Sequence, residues 1–131
     1  MVISQPYAGE KKRDFFFLWK GLYLTSYDFH QQLRKVVFMR ENEIEAKLVK
    51  AVKAHGGVCW KFVSPGTAGV PDRIVLMPSG RIGFVEVKAP GETPRPLQRL
   101  RIRTLRRLGF KAFVLDSPEQ IGGIIDAIQT P

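Results

Sequence analysis

GVPDRIVLMPSGRIGFVEVKAPG, residues 69–91, combines two strand-like runs with several charged side chains. The runs over 72–77 and 82–88 are rich in β-branched residues, and the PSGR between them is typical of a tight turn. This pattern predicts a β-hairpin. Charged groups are costly to bury unless they are paired or bind a metal, so the acids and the lysine of this hairpin need an explanation.

The charged residues of the hairpin are predicted to meet on one face. Because side chains two apart on a strand point the same way, Glu86 and Lys88 share a face. Asp72 opens the partner strand, so its carboxylate is expected close to that of Glu86. Such a pair repels unless a cation lies between the two groups, and oxygen ligands suit Mg²⁺ or Mn²⁺. The alternative is a solvated Glu86–Lys88 ion pair, which contributes little.

The elements predicted around the hairpin complete an α/β fold. Residues 40–55 lack Gly and Pro and carry an apolar stripe at helical spacing, which the glycines at 56–57 end. Ser117, Pro118 and Gln120 are predicted to cap the last helix as N-cap, first helical residue and capping-box residue. The order α-β-β-β-α-β-α predicts a mixed β-sheet flanked by helices. The remaining predicted elements are a strand over 58–63, a helix over about 96–108 and a strand over 111–116.

The first 38 residues differ from the rest of the chain. They are rich in aromatic residues but show no sustained apolar period of two or 3.6. We therefore predict an N-terminal extension over 1–38 and one domain over 39–131. The extension is interpreted as an appendage, or as sequence translated upstream of a natural start at Met39. The functional alternative is an aromatic and basic arm that docks on DNA or on a second subunit.

The composition favours a polyanionic partner. The chain has 131 residues, with 21 Lys+Arg against 12 Asp+Glu and a formal net charge of +9, and such an excess favours nucleic acid. The single cysteine, Cys59, excludes an intrachain disulfide and a cysteine-cluster zinc site, and His30 and His55 lack metal-ligand spacing. The longest apolar run near the N-terminus, FFFLW, is too short for a signal sequence or a membrane span. We therefore expect a cytoplasmic protein with no membrane partner and no small-molecule cofactor.

The predicted helix over 96–108 supplies the candidate DNA-binding surface. Leucines are predicted on one side and arginines on the other, namely Leu97, Leu100, Leu105 and Leu108 against Arg99, Arg103, Arg106 and Arg107. No acid lies between Thr93 and Lys111, so the arginines lack i,i+4 partners. This favours phosphate binding over a merely solvated basic face. The predicted DNA-binding set also includes Lys61, Arg73 and Arg95.

The first predicted helix offers a third carboxylate. Placing its residues at 100° steps puts Glu41 in the middle of the apolar stripe and Glu45 at its edge, whereas Glu43 faces solvent. An acid on a core-facing stripe needs a partner, which a metal site at the sheet edge would provide. The alternative for Glu41 is a first-turn residue favoured by the helix dipole. Gln98, near the start of a later helix, either orients a water or a phosphate or bonds a loop.

These residues together resemble the PD-(D/E)XK nuclease superfamily. The stretch from about Arg40 to Ile128 is similar to its VRR-NUC family, in the small stand-alone form found in phages. The resemblance rests on a helix glutamate, KFVSPG, GVPDRIVL, FVEVKAPG and Gln98. It implies a restriction-endonuclease-like core. It also implies that Asp72 and Glu86 are metal ligands and that the Val87 carbonyl is a third.

The resemblance implies roles for the other site residues as well. Lys88 would position or activate the attacking water and stabilise charge on the phosphate. Gln98 would support the site, and Glu41 or Glu45 would contact the metal through water. Similar stand-alone members are homodimers that cut branched DNA, notably four-way (Holliday) junctions.

The leading hypothesis is a Mg²⁺- or Mn²⁺-dependent DNA endonuclease that acts in a phage-infected or bacterial cytoplasm. It would be a homodimer, selective for branched DNA, and would leave 5′-phosphate and 3′-hydroxyl ends. One alternative is a less selective nicking or restriction-type nuclease acting on duplex DNA. The other is a non-catalytic basic nucleic-acid-binding module, which gives no role to Asp72, Glu86 or Lys88.

Overall fold

A computed structural model of the chain describes residues 26–131, and over 35–39 it describes the backbone alone. The chain divides into two compact units, Met1–Val37 and Phe38–Pro131. Residues 1–25 of the predicted extension lie outside the described part, so the predicted boundary between 38 and 39 stays a prediction. The helices are α1 (Ser26–Ala54), α2 (Pro96–Arg107) and α3 (Ile121–Gln129), and the strands are β1 (Val58–Lys61), β2 (Arg73–Met77), β3 (Arg81–Val87) and β4 (Lys111–Leu115).

The four strands form one mixed sheet in the order β1-β2-β3-β4. The β1–β2 and β2–β3 pairs are antiparallel, and β3–β4 is parallel. A short 3₁₀ turn, Pro78–Gly80, joins β2 to β3, as the hairpin prediction required. The parallel pairing of β3 with β4 follows from the α2 crossover, because a parallel connection needs a long segment between its strands. The predicted α/β class and element order are confirmed.

Each face of the sheet carries its own apolar cluster. On one face, side chains of the α1 segment over 40–54 and of α3 pack on alternate strand residues, and the fully buried members include Leu48, Val52, Val75, Val85 and Ile125. On the other face, α2 packs through Ile102 against Phe84 and Ala112. Glu86 is two residues along β3 from Phe84, so its side chain lies on the α2 face.

The first helix begins earlier than the sequence predicts. It starts at Ser26, not near residue 40. Residues 26–55 contain neither Gly nor Pro, so nothing breaks the backbone hydrogen-bond ladder even where the apolar stripe is absent. No helix among the described residues is long and apolar enough to cross a membrane.

The predicted cap of the last helix is only partly correct: Ser117 is an N-cap and Pro118 follows it as first residue, but of a 3₁₀ turn that precedes α3. Pro118–Gln120 forms a separate 3₁₀ turn, and α3 begins at Ile121. The Gln120 side chain accepts a hydrogen bond from the backbone N–H of Asp116, not from that of Ser117. The Ser117 hydroxyl donates to the side chain of Glu119 instead. Both polar groups are satisfied within the turn, so the capping box does not form.

The predicted apolar side of the helix over 96–108 is only partly correct: Leu105 packs against the cluster of Phe84, Ile102 and Ala112, whereas the other three leucines are exposed. Leu97, Leu100 and Leu108 are 41, 44 and 60% exposed. The buried residues of α2 are Gln98 and Ile102. Both faces show helical spacing, so periodicity alone could not choose between them. The buried polar contact of Gln98, described below, orients α2 with the arginine face outward and the leucines on its flank.

Candidate active site

The hairpin brings Asp72 and Glu86 to the same end of the sheet. The β2–β3 register pairs Arg73 with Val85, so the next residues outward, Asp72 and Glu86, lie opposite each other. One oxygen of the Asp72 carboxylate, Oδ2, accepts a hydrogen bond from the backbone N–H of Val87 at 2.9 Å. This contact fixes the aspartate against β3. The buried Pro71 immediately before it restricts the backbone.

Glu86 is buried, and its two side-chain partners, Lys88 and Gln98, both contact the same carboxylate oxygen. Its side chain is 1% exposed. The Oε1 atom lies 3.2 Å from Lys88 Nζ and accepts a hydrogen bond from Gln98 Nε2 at 2.5 Å. Gln98 Oε1 in turn accepts from the backbone N–H of Arg95 at 2.8 Å. Gln98 therefore links the start of α2 to Glu86. Its amide nitrogen donates to Glu86, and its amide oxygen accepts from the backbone of Arg95.

The surroundings of Glu86 disfavour the ionised form of its carboxylate. The pKa of Glu86 is raised from 4.5 to about 7, because burial and the negative charge of Asp72 raise it by more than the charge and hydrogen bond of Lys88 lower it. Desolvation disfavours the ionised form because water no longer solvates the charge. Perturbed carboxylates of this kind are typical of functional sites.

The donor set fits a divalent cation. Glu86 Oε2 is buried and has no hydrogen-bond partner among the described residues, whereas Oε1 is occupied by Lys88 and Gln98. Buried unsatisfied polar atoms are rare and call for an explanation. Within residues 26–131, no group of three or more His, Cys, Asp or Glu side chains forms a ready metal cluster. A site with two carboxylates plus carbonyl and water ligands suits Mg²⁺, which keeps several waters.

The structure separates the two candidate glutamates of α1. Glu41 is half-buried. Burial raises its pKa, Lys88 lowers this pKa, and Asp72 raises it, so Glu41 lies in the field of the site. The Glu45 carboxylate instead forms an ion pair with Arg73, whose Nε lies 2.7 Å from Glu45 Oε1. Arg73 was predicted to bind DNA. It lies in a partly buried pair, and its predicted role in DNA binding stays a prediction.

The loop before Asp72 packs on α2 through contacts that the sequence did not indicate. Gly69 has a φ of +82° and approaches Leu97 so closely that a Cβ would lie 2.8 Å from Leu97 Cγ. Arg101 Nε donates to the carbonyl of Ala68 at 2.9 Å. This contact joins residues 33 apart in the chain and has no local sequence signal.

The arginines of α2 differ in their surroundings. The guanidinium of Arg99 donates to the Pro94 carbonyl at 2.6 Å, and that of Arg106 donates to the Ala112 carbonyl at 2.8 Å. Arg95, Arg103 and Arg107 are exposed, as is Lys61 on β1. The predicted basic face therefore reaches solvent along α2, although two of its members are also tethered to backbone carbonyls.

Comparisons with known proteins agree with this geometry. The family model described as the VRR-NUC domain matches residues 29–119. A relative named "Putative nuclease p44", from Acyrthosiphon pisum secondary endosymbiont phage 1, is 49% identical over 90 residues, which cover 69% of this chain and 96% of the relative. A solved structure titled "VRR_NUC domain" is similar at a TM-score of 0.63 and 31% identity, covering 66% of this chain and 95% of that one.

Proposed function

Because the chain belongs to the VRR-NUC family of nucleases, we propose that it is a DNA endonuclease that depends on Mg²⁺ or Mn²⁺ and prefers branched DNA. The observation that carries the proposal is the buried Glu86, which has a free Oε2 atom, Asp72 opposite it and Lys88 beside it. A site built only for stability would not leave a buried carboxylate oxygen without a partner.

Asp72, Glu86 Oε2 and the Val87 carbonyl would hold the proposed cation. When bound, it would stabilise the charge that develops on the phosphate and lower the pKa of a water. Lys88 Nζ, 3.2 Å from Glu86 Oε1, orients that water and stabilises charge on a phosphate oxygen. The water oxygen would bond to phosphorus as the bond to the 3′ oxygen breaks; the water would release one proton to solvent, and the 3′ oxygen would take up one from solvent, so that one water is consumed. The products carry a 5′-phosphate and a 3′-hydroxyl.

Gln98 and Glu41 are proposed to support this chemistry. Gln98 occupies one oxygen of Glu86 and so directs the other toward the cation. Glu41 adds a negative charge near Lys88 and Asp72, where it would contact a cation-bound water. These contacts hold the reacting groups in place, which is a large part of what such sites contribute to rate.

Metal and substrate dependence are tested together. The protein is incubated with a labelled four-way junction and with a linear duplex of matched sequence, each with EDTA, Mg²⁺ or Mn²⁺. We expect cleavage only with a divalent ion, faster on the junction, and none with Asp72→Ala. Equal cutting of both substrates would favour the less selective nicking nuclease. Binding without cleavage under every condition would favour the non-catalytic module.

The exposed arginines of α2 are expected to bind phosphates. Replacing Arg103 and Arg107 by alanine removes two such contacts, so the slope of log K against log salt should fall by roughly 2 for duplex DNA. The matched control is Lys50→Ala with Lys53→Ala, which removes the same charge from α1 on the other face of the sheet. Fluorescence anisotropy in EDTA measures both variants. If the Arg103 and Arg107 variant keeps the wild-type slope, then DNA does not bind along α2.

A homodimer is proposed because symmetric cuts in a four-way junction need two active sites. The exposed leucines at 97, 100 and 108 leave apolar area on the flank of α2, which supports self-association. Light scattering after gel filtration measures the mass in solution. We expect twice the chain mass of 14.9 kDa, and a monomeric mass at assay concentration would contradict the homodimer.

A further inference from the structure

The glutamates of α1 lie one turn apart but have different surroundings. Residues four apart in a helix share a face, so Glu41 and Glu45 point in a similar direction. The charges of Lys88 and Asp72 act on the pKa of Glu41, whereas Glu45 makes a direct ion pair with Arg73. Glu41 is therefore associated with the proposed cation site, and Glu45 with the packing of α1 beside it.

The Glu45–Arg73 pair connects three elements. Arg73 Nε donates to Glu45 Oε1 at 2.7 Å, and Arg73 Nη1 donates to the Cys59 carbonyl at 3.3 Å. These contacts link α1, β2 and β1. The side chains of Arg73 and Glu45 are 14 and 18% exposed, so solvent screens the pair only in part. The pair adds a directional contact between α1 and β2 beside the apolar stripe of α1, whose packing on the sheet is non-directional.

Arg73 also follows Asp72 directly in the chain. Successive strand residues point to opposite faces, so the Arg73 side chain reaches toward α1 while Asp72 points to the proposed cation. A shift of α1 relative to β2 would move Glu41 with it, because Glu41 is one turn, about 5.4 Å, from the paired Glu45.

We propose that Glu45 and Arg73 are positioning residues that set the rotation of α1 and so hold Glu41 beside the proposed cation site. The inference rests on the proposed function, since it assumes a cation at Asp72 and Glu86. It gives Arg73 an indirect role, through Glu45, in place of direct contact with DNA. It also assigns the helix carboxylate of the site to Glu41.

The test measures Mn²⁺ binding by calorimetry without substrate, so its readout does not depend on cleavage. Glu45→Gln keeps the shape of the side chain but removes its charge, and we expect Mn²⁺ binding weakened by roughly 10-fold, the scale typical of residues that orient metal ligands. Glu41→Gln should weaken binding as much. Glu43→Gln, on the exposed side of α1, is the matched control and should bind as the wild type does.

The double variant separates positioning from general destabilisation. If Glu45 acts through Glu41, then Glu41→Gln with Glu45→Gln should bind Mn²⁺ no more weakly than Glu41→Gln alone. The charge exchange Glu45→Arg with Arg73→Glu should recover most of the affinity, and Arg73→Lys serves as a second variant if the exchange unfolds. Circular dichroism checks that each variant is folded. Losses that simply multiply, or wild-type affinity in Glu45→Gln, would overturn the inference.

Two controls distinguish this inference from the proposed function. No Mn²⁺ binding by the wild type, or unchanged binding in Asp72→Asn, contradicts the proposed cation site itself. If Asp72→Asn loses Mn²⁺ affinity but Glu45→Gln does not, only the positioning role of Glu45 and Arg73 is contradicted. In EDTA, Arg73→Gln should bind the junction within about 2-fold of the wild type, since the inference places Arg73 on Glu45 and not on a phosphate. A large loss there would return Arg73 to the DNA surface.

Discussion

Replacing Glu86 with glutamine is expected to abolish metal-dependent cleavage and also to stabilise the metal-free protein above pH 7. The amide keeps a carbonyl that can accept the hydrogen bond from Gln98 but removes the charge proposed to hold the cation. We expect cleavage to fall by roughly 10³-fold, comparable to the loss of a strong electrostatic contact in a transition state. Single-turnover cleavage of the four-way junction with saturating Mn²⁺ measures the loss.

The gain in stability follows from the pKa of Glu86. Burial, with Asp72 nearby, raises this pKa from 4.5 to about 7, so the folded protein binds a proton that the unfolded chain releases. The free energy of unfolding of the metal-free wild type should therefore decrease as pH rises from about 4.5 to 7, by up to about 3 kcal/mol. Glu86→Gln lacks this decrease and should be about 1–2 kcal/mol more stable than the wild type at pH 8.

Urea unfolding in EDTA at pH 5, 6, 7 and 8 tests this pH dependence. Glu43→Gln makes the same chemical change on an exposed site and should alter neither the slope nor the activity. A wild-type curve that is flat between pH 5 and 7, or a Glu86→Gln variant less stable than the wild type at pH 8, would contradict a destabilising carboxylate at this position. Adding Mn²⁺ should restore stability only to the wild type, since the metal binds the ionised form.

Replacing Lys88 with alanine is expected to lower the cleavage rate by roughly 10²–10³-fold while DNA binding changes little. Lys88 Nζ is close to Glu86 Oε1, where it is proposed to orient the attacking water. Its removal also takes away a positive charge that lowers the pKa of Glu86, so a higher pH is needed to ionise the carboxylate. The cleavage rate of Lys88→Ala should therefore begin to increase at a higher pH than the cleavage rate of the wild type does.

The measurements are single-turnover rates from pH 6 to 9 and junction binding by anisotropy in EDTA. Lys53→Ala removes a lysine from the exposed end of α1 and should leave both the rate and its pH profile unchanged. Cleavage by Lys88→Ala at the wild-type rate would exclude a catalytic role. A rate loss matched by an equal loss of DNA affinity would make Lys88 a binding residue only.

Much of the fold was predictable because its signals are local. The hairpin is marked by β-branched runs around PSGR, and the same hairpin brings Asp72 opposite Glu86. Alternation along β3 then puts Glu86 and Lys88 on one face. Each of these inferences uses a period or a turn within about 20 residues, which the chain specifies without reference to the rest of the molecule.

Sequence patterns do not predict the buried face of a helix when two of its faces have equally good apolar spacing. The helix over Pro96–Arg107 has a leucine face and a face with Gln98 and Ile102, and both satisfy helical spacing. The second is buried because Gln98 finds a partner in Glu86 Oε1, 12 residues earlier in the chain. A buried polar contact of this kind is invisible to hydrophobic periodicity.

The sequence by itself determined the strand order along the chain, the opposed acids of the hairpin and the arginine-rich helix, since each depends on neighbours within one element or one turn. Only the tertiary structure distinguishes the two α1 glutamates: Glu45 pairs with Arg73, whereas the charges of Lys88 and Asp72 act on the pKa of Glu41. Helical spacing places both Glu41 and Glu45 on or beside the apolar stripe, and Arg73, 28 residues beyond Glu45, binds Glu45. Partner choice among like charges depends on distances across the fold, which no local pattern contains.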